Sequence, residues 1–138
     1  MKTTRFGVSM NDELLEKLDS IVERRHYPNR SEAIRDLVRA ALVEDEWSAT
    51  VGEVIGVLVI VFDHHQRELS SRLLEKEHGR AGDILATLHL HLDHDNCLET
   101  KVIRGKPEEV QSLADELMAM KGVKFGRLIP ATAGRELR

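Results

Sequence analysis

The chain opens with an alternation of apolar and polar residues and then changes to helical spacing. The alternation over Arg5–Met10 predicts a half-buried strand. Asn11 is placed to cap a first helix, whose apolar stripe covers Leu14–Val22. Asn29, with Glu32 three residues later, matches a capping box that opens a second helix. The pattern therefore predicts a strand followed by two helices.

One strand and two helices in about 45 residues bury too little apolar surface to form a stable core alone. A solitary strand also leaves its backbone hydrogen bonds unmet. We therefore predict a dimer in which two copies of the strand pair as an antiparallel ribbon above four helices. The outward face of the ribbon then carries Arg5, Gly7 and Ser9 from each chain.

A two-stranded ribbon fits the major groove of DNA, where arginine can bond guanine bidentately. The backbone amides at the start of the second helix, near Arg30 and Ser31, are suited to holding a phosphate. The alternative interpretation is that the ribbon only joins two chains and that Arg5 is an ordinary exposed charge. The short pattern by itself leaves both interpretations open.

The hydrophobic pattern changes again near residue 47. Glu44–Trp47 and Ser48–Thr50 resemble a short polar linker, which divides the chain into domains at 1–47 and 51–131. The second domain shows the order strand, helix, strand, strand, helix, strand, which is typical of the ferredoxin-like architecture. The predicted strands are Glu53–Phe62, Ile84–Leu92, Cys97–Arg104 and Val123–Ile129, and the predicted helices are His65–Glu77 and Pro107–Lys121. The fold class is therefore α+β.

Composition narrows the setting of this domain pair. The 138 residues carry a net charge of −4, which argues against a protein that coats nucleic acid over its whole surface. It remains compatible with a small basic surface. Met1–Met10 does not resemble a signal peptide, and the apolar run Val54–Phe62 is too short to span a bilayer. With a single cysteine, the chain is expected in a reducing cytoplasm and away from membranes.

The most informative local motif is the segment from Leu88 to Cys97, in which leucines and histidines alternate. On a strand, His89 and His91 would share one face while the leucines face a core. The polar turn Asp93–Asn96 could then return the chain and set Cys97 beside the two imidazoles. Two imidazoles and a thiolate suit nickel, zinc, copper or cobalt. Alternatively, the cysteine is a small buried hydrophobe and the histidines are merely solvated.

The first domain closely resembles the ribbon-helix-helix family of DNA-binding proteins. The resemblance rests on the strand, the spacing and the segment Asn-Arg-Ser-Glu-Ala-Ile-Arg at residues 29–35. It implies that the strand reads bases and that the start of the second helix holds the DNA backbone. Gly7 is a departure, because family members usually carry a longer polar side chain there.

The two domains together resemble the nickel-responsive transcriptional regulator family (NikR), with residues 86–99 as the most specific part. The resemblance implies that His89, His91 and Cys97 bind nickel from one chain and that His78 binds it from a neighbouring chain. It implies a regulatory domain of the ACT type, four of which form a homotetramer core flanked by two modules that bind double-stranded operator DNA. It also implies a repressor of nickel-uptake genes.

Further residues are assigned by the same resemblance or left open. Glu32 and Asp36 match carboxylates that in the family help to hold a cation, potassium, between the domains; they could also be exposed charges on a helix face. His64 and His65 could bind a second or alternative metal, or form a solvated helix end. His94 could support the site from the turn.

Two functions of other classes compete with the nickel regulator. One is a zinc-dependent hydrolase that uses two histidines and a cysteine and leaves one position for water. No acid/base carboxylate with a matching spacing accompanies these residues. The other is an amino-acid-sensing repressor of the ribbon-helix-helix and ACT type, in which the histidines are incidental.

Overall fold

The computed structural model describes residues 1–65 and 83–137. It divides into two compact units, Met1–Ala40 and Ala41–Arg138. Among the described residues, no helix is both long enough and apolar enough to cross a lipid bilayer.

The first unit contains helix α1 (Asp12–Arg24) and the start of helix α2 (Arg30–Ser48). The side-chain oxygen of Asn11 accepts a hydrogen bond from the backbone N–H three residues later, at 2.8 Å. Asn29 makes the equivalent contact at 2.9 Å. Both predicted caps are therefore confirmed, and they explain where each helix begins.

Residues 1–11 form neither a helix nor a strand in the single chain. The predicted strand over Arg5–Met10 is thus not formed here, because no described residue of the chain pairs with it. Its apolar side chains are left in solvent, with Phe6 76% and Val8 55% exposed. Pairing of this segment with a second copy stays a prediction.

Helix α2 runs through the segment predicted to be a linker. Residues 44–48 are helical, so the prediction of a linker beginning at Glu44 is wrong, and the helix ends only at Ser48. Nothing in this segment is a helix breaker, and its last turn is held by Trp47, whose Nε1 donates to the backbone oxygen of Ala131 at 2.9 Å. Both residues belong to the second unit, so this bond ties the last turn of α2 to the sheet within that unit.

The second unit is an antiparallel four-stranded sheet with helix α3 (Pro107–Met118) packed against it. The strands are β1 (Val54–Asp63), β2 (Asp83–His91), β3 (Asn96–Gly105) and β4 (Val123–Ala131). Their order in the sheet is β2-β3-β1-β4, so β1 is a central strand, as its apolar run predicts. The predicted strands agree to within two residues at each end, whereas α3 ends three residues before the predicted Lys121. Apart from His65, which lies in a turn, the predicted helix His65–Glu77 falls outside the described residues.

The two faces of this sheet differ sharply in burial. The face beneath α3 forms the core, which is built from Leu58, Ile60, Phe62, Cys97, Ile103, Val110, Leu113 and Leu117. The opposite face is apolar but open, and it carries Val57, Val59, Val61, Leu88, Leu90, Leu98, Val102, Phe125 and Ile129. The described residues thus leave this apolar face of the sheet largely uncovered.

The prediction that the leucines of the Leu-His alternation face a core is wrong for the single chain. Leu88 is 56% and Leu90 45% exposed, because the register pairs Leu90 with Leu98 on the open face. The same register pairs His91 with Cys97, on the face that contains the core. The prediction that His89 and His91 share a face is confirmed, and that face is the buried side of the sheet near its edge.

Candidate metal centre

The thiol of Cys97 and two imidazoles form a cluster of three possible metal donors. Its Sγ lies 3.2 Å from Nδ1 of His91 and 3.3 Å from Nδ1 of His64. The imidazole rings of these two histidines meet edge to face, with centroids 4.8 Å apart. The three donor atoms all lie within 4.8 Å of one another. This spacing would let the three groups approach a single ion after small side-chain rotations.

Two strand pairings create the cluster. In the β2–β3 hairpin, His91 lies directly opposite Cys97. The turn is held by Asp93, whose Oδ1 accepts the backbone N–H groups of residues 95 and 96 at 2.8 and 2.9 Å. On the other side of β3, β1 pairs Phe62 with Cys97, and the backbone N–H of His64 donates to the oxygen of residue 95 at 2.7 Å. His64 is thereby placed beside a cysteine 33 positions away in the chain.

Cys97 is fully buried, and its environment favours the protonated thiol. Burial raises the pKa of Cys97 above its usual value, and the negative charges of Glu99 and Asp93 raise this pKa further. A buried thiolate therefore requires a cation beside it. The two imidazole nitrogens at the sulfur cannot supply that charge when they are neutral, whereas a bound transition-metal ion can. The donor set fits such an ion.

His89 lies next to this cluster and has a different partner. Its ring centroid is 5.1 Å from that of His91 and 5.8 Å from that of Phe62. Its Nδ1 lies 3.0 Å from Oε1 of Glu99, which sits directly opposite on β3. The structure therefore brings His91 and Cys97 together and leaves His89 one step along the strand, held by a carboxylate. His78 lies outside the described residues.

Glu99 was not singled out from the sequence. A signal was available, because Glu99 follows Cys97 by two residues and so lies on the same face of its strand. The side chain is only 13% exposed, and Nζ of Lys101 lies 3.4 Å from its second oxygen, Oε2. No hydrogen bond reaches that oxygen from the described part of the chain. Glu99 is thus a largely buried carboxylate on the same face of the sheet as Cys97.

His64 and His65 belong to two different clusters. Whereas His64 faces Cys97, Nε2 of His65 lies 2.9 Å from Oδ1 of Asp95. The same oxygen lies 3.3 Å from Nδ1 of His94. Hydrogen bonds from His94 and then His65 lower the pKa of Asp95. The sequence analysis left open that His64 and His65 together bind a second or alternative metal. In the structure the two rings have different partners, Cys97 for His64 and Asp95 for His65.

The residues predicted to contact DNA lie in the first unit. Arg5, Gly7, Ser9, Arg30 and Ser31 are all exposed. All of these except Gly7 line one cleft of about 880 Å³ between the N-terminal segment and the two helices. The cleft therefore gathers most of the predicted contacts on one surface.

Arg30 is not free in the single chain. Its guanidinium makes a two-point contact with the carboxylate of Asp19, at 2.7 and 2.8 Å. The hydrogen bonds of this ion pair lower the pKa of Asp19 and raise that of Arg30. A phosphate that binds here would compete with Asp19, a residue that the sequence pattern did not single out.

The two carboxylates predicted to hold a second cation each have a protein partner. Glu32 forms an ion pair with Arg35. Asp36 accepts a hydrogen bond from the hydroxyl of Tyr27, and this contact raises the pKa of the tyrosine. Binding of a cation by Glu32 and Asp36 would therefore replace these two contacts.

Comparisons with known proteins agree with this arrangement. Residues 4–45 match the model described as "Ribbon-helix-helix protein, copG family", and residues 55–131 match that of "NikR C terminal nickel binding domain". The chain belongs to the nickel-responsive regulator family. Over 136 residues it is 50% identical to a relative from Geobacter metallireducens, which covers 99% of this chain and 98% of the relative. A relative from Thermococcus onnurineus is 48% identical over 137 residues, covering 99% of both chains. Both are named as candidate nickel-responsive regulators.

Membership in this family makes the chain a transcription regulator and not an enzyme, so the hydrolase alternative is wrong. A solved structure, the ACT domain from GTP pyrophosphokinase of Chlorobium tepidum, matches 56% of this chain and 100% of its own with a TM-score of 0.50. At 14% identity this match shows the fold alone. The predicted α+β fold class, with a ribbon-helix-helix domain and an ACT-type ferredoxin-like domain, is confirmed.

Proposed function

We propose that this regulator binds nickel(II) at the Cys97 cluster and, when nickel is bound, represses nickel-uptake genes in the cytoplasm. The observation that carries the proposal is the burial of the Cys97 thiol between imidazoles on one sheet face. We assign His89, His91 and Cys97 as ligands from one chain and His78 as a ligand from a neighbouring chain. Three nitrogens and one thiolate suit the planar coordination typical of nickel(II) or copper(II).

The residues of the site have separate tasks in this proposal. Cys97 gives up its proton and supplies the anionic donor, while Glu99 holds the His89 ring so that its Nε2 faces away from the carboxylate. A bound nickel ion would supply bonds that join the two chains through His78. His64, already beside the sulfur, is the candidate donor when His89 is not engaged.

The open sheet face supports assembly of several chains. Valine, leucine, isoleucine and phenylalanine side chains cover it, and half-exposed residues such as Phe125 and Ile129 continue it onto β4. An apolar surface of this kind normally marks an interface. We propose that a second copy of the same sheet covers it, and that this contact builds a homotetramer with two dimeric DNA-binding modules.

Operator recognition is assigned to the first unit. Two N-terminal segments would pair as a ribbon that places Arg5 and Ser9 in the major groove, with the start of α2 at the phosphates. We also assign a potassium ion to Glu32 and Asp36, which requires these carboxylates to release Arg35 and Tyr27.

The metal assignment is tested by measuring nickel in untagged protein together with absorbance. One nickel per chain and a thiolate-to-nickel charge-transfer band are expected. Cys97→Ser should lose the band and bind nickel far more weakly. His26→Asn is the matched control, because His26 adopts a φ of 57°, which asparagine tolerates, and lies in the first unit. Unchanged nickel affinity in Cys97→Ser would refute the assignment.

The ligand from the neighbouring chain is tested with hybrids. His78→Ala chains mixed with Cys97→Ala chains should recover some intact sites, because each chain supplies what the other lacks. If hybrids form without recovery, the ligand set lies within one chain.

The regulatory role is tested on DNA from upstream of a nickel-transporter gene. Nickel should strengthen binding by the wild type but not by His89→Ala, and Arg5→Ala should weaken DNA binding while leaving nickel affinity unchanged. If His89→Ala keeps the full nickel-dependent increase in DNA affinity, His89 is not needed for sensing and His64 becomes the candidate ligand in its place.

Assembly is tested with Phe125→Glu. This residue is 49% exposed in the single chain, so the variant should keep its fold while its mass in solution falls below that of a tetramer. Glu108→Lys, an exposed change on α3, should leave the mass unchanged.

A further inference from the structure

The hairpin turn carries a second group of donors that the nickel site does not use. Nε2 of His65, Nδ1 of His94 and a carboxylate oxygen of Asp95 lie within 4.8 Å of one another. Oδ1 of Asp95 is common to both short contacts, at 2.9 Å from His65 and 3.3 Å from His94. The two imidazole rings are tilted toward each other, with centroids 5.0 Å apart.

The backbone holds these three donors in place before any ion binds. The backbone N–H of His65 donates to Oδ1 of Asp63 at 2.8 Å, which fixes the start of the turn after β1. On the hairpin side, Asp93 accepts backbone N–H groups from Asp95 and Asn96. Lys124 donates to the side chain of Asn96 at 2.6 Å. The two loops that meet here are therefore tied to the sheet.

Asp93 shapes this turn rather than serving as a donor. Its Oδ1 takes two backbone N–H groups, and the side-chain amide of Asn96 reaches both of its oxygens at 3.0 Å. The remaining donors are two imidazole nitrogens and one carboxylate oxygen. Such a set prefers a borderline divalent ion of the zinc, copper or nickel type to magnesium or calcium.

We propose that His65, His94 and Asp95 form a second transition-metal site that is separate from the Cys97 cluster. The adjacent residues His64 and His65 divide between the two sites, because one ring is directed to the thiol and the other to the Asp95 carboxylate. The second site lacks a thiolate and is open, with side chains 50%, 65% and 87% exposed for His65, Asp95 and His94. Water completes the coordination, so binding is weaker than at the buried site.

Zinc(II) is the probe that separates the two sites, because zinc has no d–d bands and leaves the nickel absorbance readable. Untagged protein that carries one nickel per chain is titrated with zinc, and bound zinc is measured by equilibrium dialysis. The structure predicts one further zinc per chain with no loss of the thiolate-to-nickel band. His94→Asn and Asp95→Asn should each lower zinc affinity by about tenfold or more.

His26→Asn is the matched control and should bind zinc as the wild type does. The same titration in Cys97→Ser without nickel makes the result independent of the nickel assignment, since zinc uptake there should still depend on His94. Equal zinc affinity in the wild type and in both turn variants would overturn the proposal. Zinc uptake that removes the nickel band in proportion would overturn it as well, because the ion would then be entering the Cys97 cluster.

Discussion

Nδ1 of His89 lies 3.0 Å from Oε1 of Glu99 across the β2–β3 hairpin. A carboxylate on one imidazole nitrogen fixes the ring orientation and the tautomer, which leaves Nε2 as the free donor. If His89 is a nickel ligand, as we propose, Glu99 orients its ring for that role without being one of the donors around Cys97.

Replacement of Glu99 by glutamine should weaken nickel binding by about 10- to 100-fold, the range typical of a lost partner behind a ligand. One effect opposes this loss, because the charge of Glu99 raises the pKa of Cys97 and its removal eases ionisation of the thiol. We expect the orientation effect to dominate. Competition with a chelator of known affinity measures the outcome, with Glu108→Gln on the exposed side of α3 as the control. Tighter nickel binding in Glu99→Gln would show that easier ionisation of the Cys97 thiol outweighs the lost orientation of the His89 ring.

Nickel affinity should rise with pH through the neutral range. In the metal-free chain the pKa of Cys97 is raised, chiefly by burial, so the thiol is protonated and each binding event must release its proton. The rise should continue past the ordinary thiol value of about 8.5, because the folded-state pKa lies above it. Chelator competition at several pH values, together with proton release measured in buffers of different ionisation enthalpy, checks this. In Cys97→Ser, nickel affinity should depend less steeply on pH, because no thiol proton is released. An unchanged pH dependence would mean that the released proton does not come from Cys97.

Local patterns predicted the hairpin and the shared face of His89 and His91 because strand alternation and turn residues act over a few positions. They did not predict that His64 lies at Cys97. That contact depends on β1 pairing with β3, a relation between segments more than 30 residues apart. They also placed Leu88 and Leu90 in a core, because an apolar face looks the same in a sequence whether the chain's own helix or another copy covers it.

Replacement of Asp19 by asparagine should strengthen DNA binding. Asp19 holds Arg30 with two hydrogen bonds, and a phosphate must displace it. We expect an increase of a few fold at low salt that shrinks as salt rises, since the ion pair is exposed and screened. Glu16→Gln removes the same charge from an exposed position of α1 and serves as the control. An equal increase in DNA affinity in both variants would show that the change in net charge, and not the release of Arg30, causes the increase.

Gly56 is expected to tolerate no larger residue. A Cβ there would lie 2.8 Å from Cγ1 of Val110 and 2.9 Å from Cδ1 of Leu128, and 3.2 Å from the ring of Trp47. Overpacking of this kind costs about 1–3 kcal/mol, so Gly56→Ala should lower the free energy of unfolding by that amount. Gly7→Ala, with nothing within 4 Å, should leave it nearly unchanged. Chemical denaturation of the metal-free protein measures both, and a neutral Gly56→Ala would show that β1 can shift away from α3.

In the hairpin between β2 and β3, alternate residues of β2 lie on opposite faces of the sheet and have different proposed roles. Odd positions of β2 near the turn carry the imidazoles, and even positions carry the leucines of the open face. A slip of one residue, by an insertion in the turn between His91 and Cys97, would exchange the two sets and send His89 and His91 to the surface proposed for the partner chain. Metal binding and assembly would then fail together, although no ligand had been removed. A change of one residue in the length of this hairpin is therefore tolerated only where an irregularity absorbs it away from the histidines, as the register shift between Ile84 and Ala86 does in β2.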